Sequence, residues 1–341
     1  VSDAYRAAGV DVAAAEEMVG RIAGPVTATW GDGVVGGFGG FAAGIRIPPG
    51  YRSPVLMLST DGVGTKLDIA RRAGRWEGVG HDLVAMCVDD LAAVGAAPIG
   101  FVDYLAVGSL DAGRDEAIVR SVADACAVVG CALVGGETAE HPGVVDDHHV
   151  DLAGTALGVV EEDGVLGPDR VSDGDVVVGV TSPNLRSNGF SLVRKILADH
   201  GLGLDDPLPD GSGRSVADAV LEPSVIYSPA ASMAASTGAV GAFCHVTGGG
   251  IPGNLPRVLP EGLGATIDPS SWDRPSVFDA LVRLGGLTDA DAYGSFNMGL
   301  GFLAVVRYGS EGDVLAAFAE HGHEASIVGR VDSDVDGVRL G

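Results

Sequence analysis

The sequence predicts a two-domain protein built from α/β (α+β) layers. Three observations carry that expectation. At 341 residues the chain is longer than one hydrophobic core comfortably fills. Short apolar runs of strand length alternate with segments of helical period, at an irregular spacing that favours neither a Rossmann sheet nor a TIM barrel. A polar, turn-rich stretch without aromatics, EEDGVLGPDRVSDGD, marks a boundary near residue 166. The expected organisation is an N-terminal arm over 1–30, a first domain over 31–166 and a second over 167–341.

Composition narrows the class of function. Hydrophobic residues at 46% and charged residues at 20% describe a globular chain, and aromatics at only 5% imply cores made of Ala, Val and Gly. The net charge of −25 is spread along the chain, which gives nucleic acid and anionic membranes the wrong electrostatic sign. Such acidity with few lysines fits a salt-loving source, where screening shortens repulsion, and equally a GC-rich genome that favours Ala, Gly, Asp and Arg. Cys87, Cys126, Cys131 and Cys244 form no C-x-x-C pair and read as reduced core thiols. The eight histidines show no paired metal spacing. No apolar run approaches membrane-spanning length and the first residues are not signal-like, so the chain reads as soluble and cytoplasmic.

Taken in order, Val12 to Ile22 has a helical pattern, stopped by Gly24 and Pro25, and reads as an appended arm. Gly36-Gly37-Phe38-Gly39-Gly40-Phe41 lacks the spacing and flanks of a dinucleotide fingerprint; a phosphate-covering loop and a plain linker both fit it. Val55 to Leu67, VLMLSTDGVGTKL, is a strand expected to end at Asp61, followed by Gly62, Gly64, Thr65 and Lys66. A carboxylate, turn N–H groups and an ammonium at a strand end suit an anionic ligand with a metal. A strand-turn with solvated Asp and Lys is the plainer alternative. Lysine is scarce, however, since Lys66 and Lys195 are the only two in the chain.

Asp82 to Val94 places apolar residues at 83, 84, 87, 88, 91 and 94, which is helix spacing. Asp82 and Asp89 share a face, with Asp90 about 100° round. A divalent cation would relieve their repulsion, and a solvated acidic face reads as well. Phe101 to Val107 is a strand carrying the out-of-pattern charge Asp103, and Arg114 to Val129 is a helix. Ala132 to Val134 leads to Gly135-Gly136-Glu137-Thr138-Ala139-Glu140, a second strand expected to end in glycines and carboxylates, which suggests a cation site shared by Asp61 and Glu137.

Val150 to Val160 and Val176 to Thr181 are strands. Ser187-Asn188-Gly189 precedes a helix to about Asp199, with Ser187 the expected N-cap. Pro223 to Ala235 reads as helix, and 201–215 as loop. Phe243 to Val246 runs as a strand through His245 into Thr247 and the triplet Gly248-Gly249-Gly250, whose N–H groups suit a phosphate, with Asn254 opening a helix. Trp272 to Leu284 and Val314 to His321 read as helices, and Phe302 to Val306 as a strand.

These segments together resemble the phosphoribosylformylglycinamidine cyclo-ligase (aminoimidazole ribonucleotide synthetase) family. The match runs in order through Tyr5-Arg-Ala-Ala-Gly9-Val10-Asp11, DGVGTKL (61–67), HDLVAMCVDDL (81–91), GGETAEHPG (135–143), SNGFSLVRK (187–195), HVTGGG with Asn254 (245–254), NLPRVLP (254–260) and SFNMGLGF (295–302). The resemblance implies ATP-dependent closure of formylglycinamidine ribonucleotide to aminoimidazole ribonucleotide, with ADP and phosphate released. It also implies a homodimer whose first-domain sheets pair into a barrel, and a second domain that is an α/β sandwich. On it, Asp61, Asp90 and Glu137 hold Mg²⁺, with Asp89 and Asp82 as second choices. ATP meets Gly36, Gly37, Gly39, Gly40, Asp61, Gly62, Gly64, Thr65, Lys66 and Thr138. Substrate meets Ser187, Asn188, Gly189, His245, Thr247, Gly248, Gly249, Gly250 and Asn254. Lys66, His245 and Asn188 are the catalytic candidates.

Three positions depart from the expected family pattern. Ala23 stands where a lysine is expected, Arg186 where some members have histidine, and Asp89-Asp90 where an Asn-Asp pair is expected. Selenophosphate synthetase, thiamine-phosphate kinase and hydrogenase-maturation relatives share the glycine-acid nucleotide site. SNGF and HVTGGG separate this chain from them, as does the lack of a reactive Cys in the N-terminal loop. An assembly subunit that binds ATP without turnover is the alternative from another class.

Overall fold

The computed structural model describes residues 12–341, so the Tyr5 to Asp11 segment of the resemblance lies outside the described residues. The chain divides into two compact units. One runs to Val88 and resumes over Pro98–Glu161; the other comprises Asp89–Ala97 and Glu162–Gly341.

The first unit holds a two-stranded ribbon, β1 (Val34–Val35) with β2 (Gly44–Ile45), and a four-stranded sheet. That sheet is made of β3 (Pro54–Gly62), β4 (Ala97–Val107), β5 (Ala132–Glu140) and β6 (Val150–Glu161), in the order β3-β6-β4-β5. β3 lies antiparallel to β6 and β4 parallel to β5. Its helices are α1 (Val12–Ala28), α2 (Lys66–Ala73), α3 (Val79–Ala93) and α4 (Ala112–Val129), with the unit boundary falling inside α3.

Strand period decides the two faces of this sheet. Along β4, Phe101, Leu105 and Val107 are buried while Val102 and Tyr104 are exposed. The Phe101 ring lies on Gly154 of β6, where a Cβ would come 2.4 Å from Cζ. Helix α4 starts on the Asp111 carboxylate, which accepts the N–H groups of Gly113 and Arg114, and it stops at Gly130 in the left-handed region at φ 71°. Gly80 lets α3 meet α4, since a Cβ there would fall 2.1 Å from the Val122 nitrogen.

The second unit is a six-stranded sheet in the order β12-β9-β11-β7-β10-β8. Its strands are β7 (Val176–Thr181), β8 (Val240–His245), β9 (Gly264–Ile267), β10 (Leu300–Val306), β11 (Ala325–Asp332) and β12 (Val338–Leu340). All neighbours are antiparallel except β12 and β9. The helices are α5 (Phe190–Asp199), α6 (Val216–Val220), α7 (Ser228–Ser236), α8 (Gly250–Asn254), α9 (Ser276–Gly285), α10 (Asp289–Ser295) and α11 (Glu311–Glu320). Val176, Val178 and Val180 alternate along β7 and pack with Phe302, Ala304 and Val306 of β10 under Ala231 and Ala234 of α7 and Phe318 of α11. Small alanines on α7 let it lie close, as the composition required.

Several expectations need correcting. Helix α1 passes through Gly24 and Pro25 to Ala28, because buried Met18 and Val26 tie it to the unit and Trp30 Nε1 donates to the Leu133 carbonyl at 2.7 Å. β3 and β5 continue through Asp61-Gly62 and Gly135–Glu140, since β6 and β4 offer backbone partners there, such as Gly154 for Asp61 and Tyr104 for Glu137. Ser187 is not the N-cap of α5; Gly189 holds that position at φ 79°. Residues 223–227 are irregular, and the helix begins at Ser228. Asn254 closes α8 instead of opening a helix, and α9 starts four residues after Trp272, at Ser276. Among the described residues, no helix is long and apolar enough to cross a membrane.

Gly154→Ala should destabilise the protein by about 1–3 kcal/mol through overpacking against Phe101. Adding Phe101→Leu should recover most of that loss, measured as the urea unfolding midpoint.

Candidate functional site

The first unit brings several predicted ATP residues around one cavity of about 330 Å³. Gly37, Gly39, Gly40, Glu137 and Thr138 line it, together with apolar side chains of α1. Gly36 and Gly39 adopt φ 113° and 79°, so the loop takes a path that side chains would resist. Asp103, which was only an out-of-pattern charge in the sequence, also lines the cavity. Burial pushes its carboxyl up to about 7, and its own backbone N–H opposes that shift.

The β3 turn is arranged differently from expectation. Asp61 is exposed and accepts the Gly62 N–H at 2.7 Å, while Gly64 and Thr65 are also exposed. Lys66, expected to face a phosphate, is buried at 1% exposure with its Nζ 2.8 and 2.7 Å from the two oxygens of Asp82. The ammonium is therefore neutralised within the protein. That pair also removes Asp82 from any solvated acidic face.

Asp61 and Glu137 lie on opposite edge strands of the four-stranded sheet. Three strand spacings separate those edges, on the order of 14 Å. No three His, Cys, Asp or Glu side chains among the described residues lie close enough to hold a metal ion. The shared cation site inferred from the two strand ends is thus not assembled within one sheet.

In the second unit the predicted substrate residues converge on two adjacent turns. A Cβ on Gly248 would sit 3.7 Å from Asn188 Oδ1, which sets the SNG turn beside the glycine triplet. Gly249 and Gly250 take φ 94° and 58°, and a Cβ on Gly250 would strike the Tyr293 carbonyl at 1.8 Å. Asn254 is buried and serves the turn itself: its amide donates to the carbonyls of Gly248 and Gly250 at 3.1 and 2.9 Å, and its oxygen accepts from Arg257 at 3.0 Å. Thr247 Oγ1 donates to that same oxygen at 3.3 Å. Asn254 thus braces the glycine turn from within.

His245 closes β8, and its Nδ1 lies 2.8 Å from Asp90 Oδ1. With a carboxylate at Nδ1, that nitrogen is the donor of the pair. Nε2 is buried and has no hydrogen-bond partner among the described residues, and the same is true of Ser187 Oγ. Asp90, expected at the metal, is held against the imidazole.

Asp89 and Arg186 form a second pair, each with a side chain at 0% exposure. Arg186 Nη2 donates to Asp89 Oδ2 at 2.5 Å, and Nη1 donates to the Gly301 carbonyl at 3.1 Å. The guanidinium lies 4.8 Å from the centre of the Tyr227 ring. Asp89 Oδ1 accepts the N–H groups of Tyr227 and Ser228 at 2.8 and 2.9 Å, at the start of α7. Neither side chain reaches solvent. A fully buried pair was not legible in the sequence, although Arg186 was marked as unusual there.

Two family models cover most of the chain. The N-terminal domain of "AIR synthase related protein" matches residues 40–160, and the C-terminal domain matches 172–340. A phosphoribosylformylglycinamidine cyclo-ligase from Sorangium cellulosum (strain So ce56) is 47% identical over 98% of this chain and 96% of its own. The chain belongs to this cyclo-ligase family. Another cyclo-ligase of the family, from Anaeromyxobacter dehalogenans (strain 2CP-C), is 45% identical over 96% of this chain and 95% of its own. The fold extends further: thiamine-monophosphate kinase from Stenotrophomonas maltophilia K279a superposes with a TM-score of 0.70 at 19% identity, covering 94% of this chain and 95% of that one.

Asp89→Asn in this cyclo-ligase family member should cost about 3–5 kcal/mol in unfolding free energy by taking the carboxylate away from the buried Arg186 guanidinium. Combining it with Arg186→Met should restore a large part, read from urea denaturation. Asp103 gives a pH signature. Its folded pKa of about 7 lies above the ordinary aspartate value of 3.8, so its contribution to stability is full below pH 4 and is lost as pH rises to 7. Asp103→Asn should therefore gain on wild type over that window, by roughly 4 kcal/mol at most.

Proposed function

We infer that the protein closes the imidazole ring of purine biosynthesis, converting formylglycinamidine ribonucleotide to aminoimidazole ribonucleotide with ATP. Membership of the family supports the reaction. The observation within the structure that supports it best is His245, a ring fixed by Asp90 at Nδ1 with Nε2 buried and without a hydrogen-bond partner among the described residues.

The chemistry has two steps. ATP transfers its γ-phosphoryl group to the formyl amide oxygen, releasing ADP and converting that oxygen into part of a leaving group. An amidine nitrogen then forms the C–N bond at that carbon, and phosphate departs. Phosphoryl transfer asks for positioning and charge neutralisation, to which the glycine-loop N–H groups contribute. Asp61 and Glu137 have the hard oxygen donors that Mg²⁺ takes, usually one or two carboxylates beside phosphates. Mg²⁺, when bound, offsets the charge of the transferring phosphoryl group.

The second unit supplies the acid–base work. His245 Nε2 takes the proton from the amidine nitrogen as it attacks, and Asp90 stabilises the resulting imidazolium. Asn188 and the N–H groups around Gly248 to Gly250 hold the ribose phosphate, with Ser187 and Gly189 completing the turn. Lys66 is assigned to holding Asp82 and the β3 turn.

A homodimer accounts for the edge problem. The sheet carries Leu56 at 50% and Leu58 at 72% exposure on β3, with exposed Val102 and Tyr104 on β4 across the intervening β6. Pairing the sheet with that of a second copy buries these side chains, and closing the two sheets into a barrel brings the edge strand bearing Asp61 beside a partner's β5.

Purified protein should consume ATP only when formylglycinamidine ribonucleotide is present and should yield a diazotisable aminoimidazole; nucleotide binding without that turnover defeats the assignment. Asp90→Asn should lower kcat by about 10²-fold or more, as expected for a disturbed general base, with half-saturating Mg²⁺ unchanged. A shifted Mg²⁺ requirement would return Asp90 to the metal.

A further inference from the structure

The cavity of the first unit has two chemically different parts. Gly37 to Gly40, Glu137 and Thr138 form one wall, with backbone and oxygen atoms suited to phosphates and a metal. Met18, Ile22, Val26, Val119 and Leu133 form an apolar remainder. Asp103 is the acidic group that lines the same cavity between them, only 9% exposed. Its carboxyl lies against the α-carbon of Gly136, its register partner on β5, where a Cβ would come 1.9 Å from Oδ1.

No cation and no other residue's N–H is bonded to this carboxyl among the described residues; the N–H it meets is its own. A carboxyl group has acceptor capacity for several hydrogen bonds, so one buried with so few is short of donors. Phosphate cannot supply them, because it brings only acceptors and negative charge. An amine-bearing, flat, largely apolar group can, and a cavity of about 330 Å³ falls within the size range of small-molecule pockets.

We propose that the apolar part of this cavity seats the purine base of ATP and that the Asp103 carboxyl group reads its 6-amino edge. The proposal rests on the ATP reading above and adds the residue that sets base specificity. Burial favours the neutral carboxyl, which offers an O–H donor beside a C=O acceptor. Adenine presents the complement, an acceptor ring nitrogen beside an exocyclic N–H donor. A base lacking the amine leaves the Asp103 acceptor buried and unsatisfied, which is the arrangement by which polar sites reject analogues.

The test begins on the wild-type protein and needs no variant. Direct binding of non-hydrolysable ATP is compared by calorimetry with the matching purine nucleotide that lacks the 6-amino group. The 6-unsubstituted purine nucleotide, with hydrogen in place of the amine, should bind about 10-fold or more weakly. Asp103→Leu should erase most of that difference and raise KM for ATP by a similar factor, with the loss in KM more than in kcat. Asp103→Asn, which keeps an acceptor beside a donor, should recover most of the affinity. Equal binding of both nucleotides by wild type, or an unchanged preference in a folded Asp103→Leu protein, overturns the proposal while leaving ATP use intact. If wild type binds neither nucleotide, the ATP reading itself has failed.

Discussion

The buried ion pair between Arg186 and Asp89 is the constraint on which the second unit depends. Two charges without solvent exposure cost several kcal/mol each to desolvate, so the surroundings must supply compensating partners. They do so from four places: the Gly301 carbonyl on β10, the Tyr227 ring, and the N–H groups of Tyr227 and Ser228 where α7 begins. Arg186 itself sits at φ 58°, a conformation that β-carbon sterics disfavour and that persists only where neighbours over-determine it. Ser187, Asn188 and Gly189 follow directly, so their turn is set by where this guanidinium is held.

The same pair explains two oddities that look independent in the chain. An arginine where histidine is expected and an aspartate where asparagine is expected are 97 residues apart, yet they are bonded to each other. Each alone would leave a buried charge without a counter-ion. Together they are neutral, and general acidity of the surface need not be invoked for Asp89. Lys66 follows a parallel logic in the first unit, where Asp82 cancels the charge that scarcity had made conspicuous. In both units, then, conspicuous charges hold the scaffold.

Fewer groups keep bonding capacity to spare. Among the described residues, His245 Nε2 and Ser187 Oγ are buried without hydrogen-bond partners and Asp103 lines a cavity, while Asp61 and Glu137 are exposed on opposite edges of one sheet. Glycines make each of these positions reachable. Gly136 yields its side-chain space to Asp103, and Gly250 lets its turn pass against Tyr293. Chemistry and packing therefore share the same glycine runs, which is why those runs were the most readable motifs.

The sequence by itself determined the family, the layered fold class, most of the strands and the motifs that gather at the two turns and the glycine loop. Period and composition act locally, and a motif match in order carries the rest. It could not determine where β3 and β5 end, because a strand stops where its neighbour's backbone stops offering hydrogen bonds. Nor could it sort aspartates of one helix into roles: Asp82 meets Lys66, Asp89 meets Arg186 and Asp90 meets His245. Helical spacing gave the relative angles of these carboxylates and nothing about what lies opposite each. Only the tertiary structure decided that, because a charge becomes structural or functional according to the partner that long-range packing places within hydrogen-bond reach.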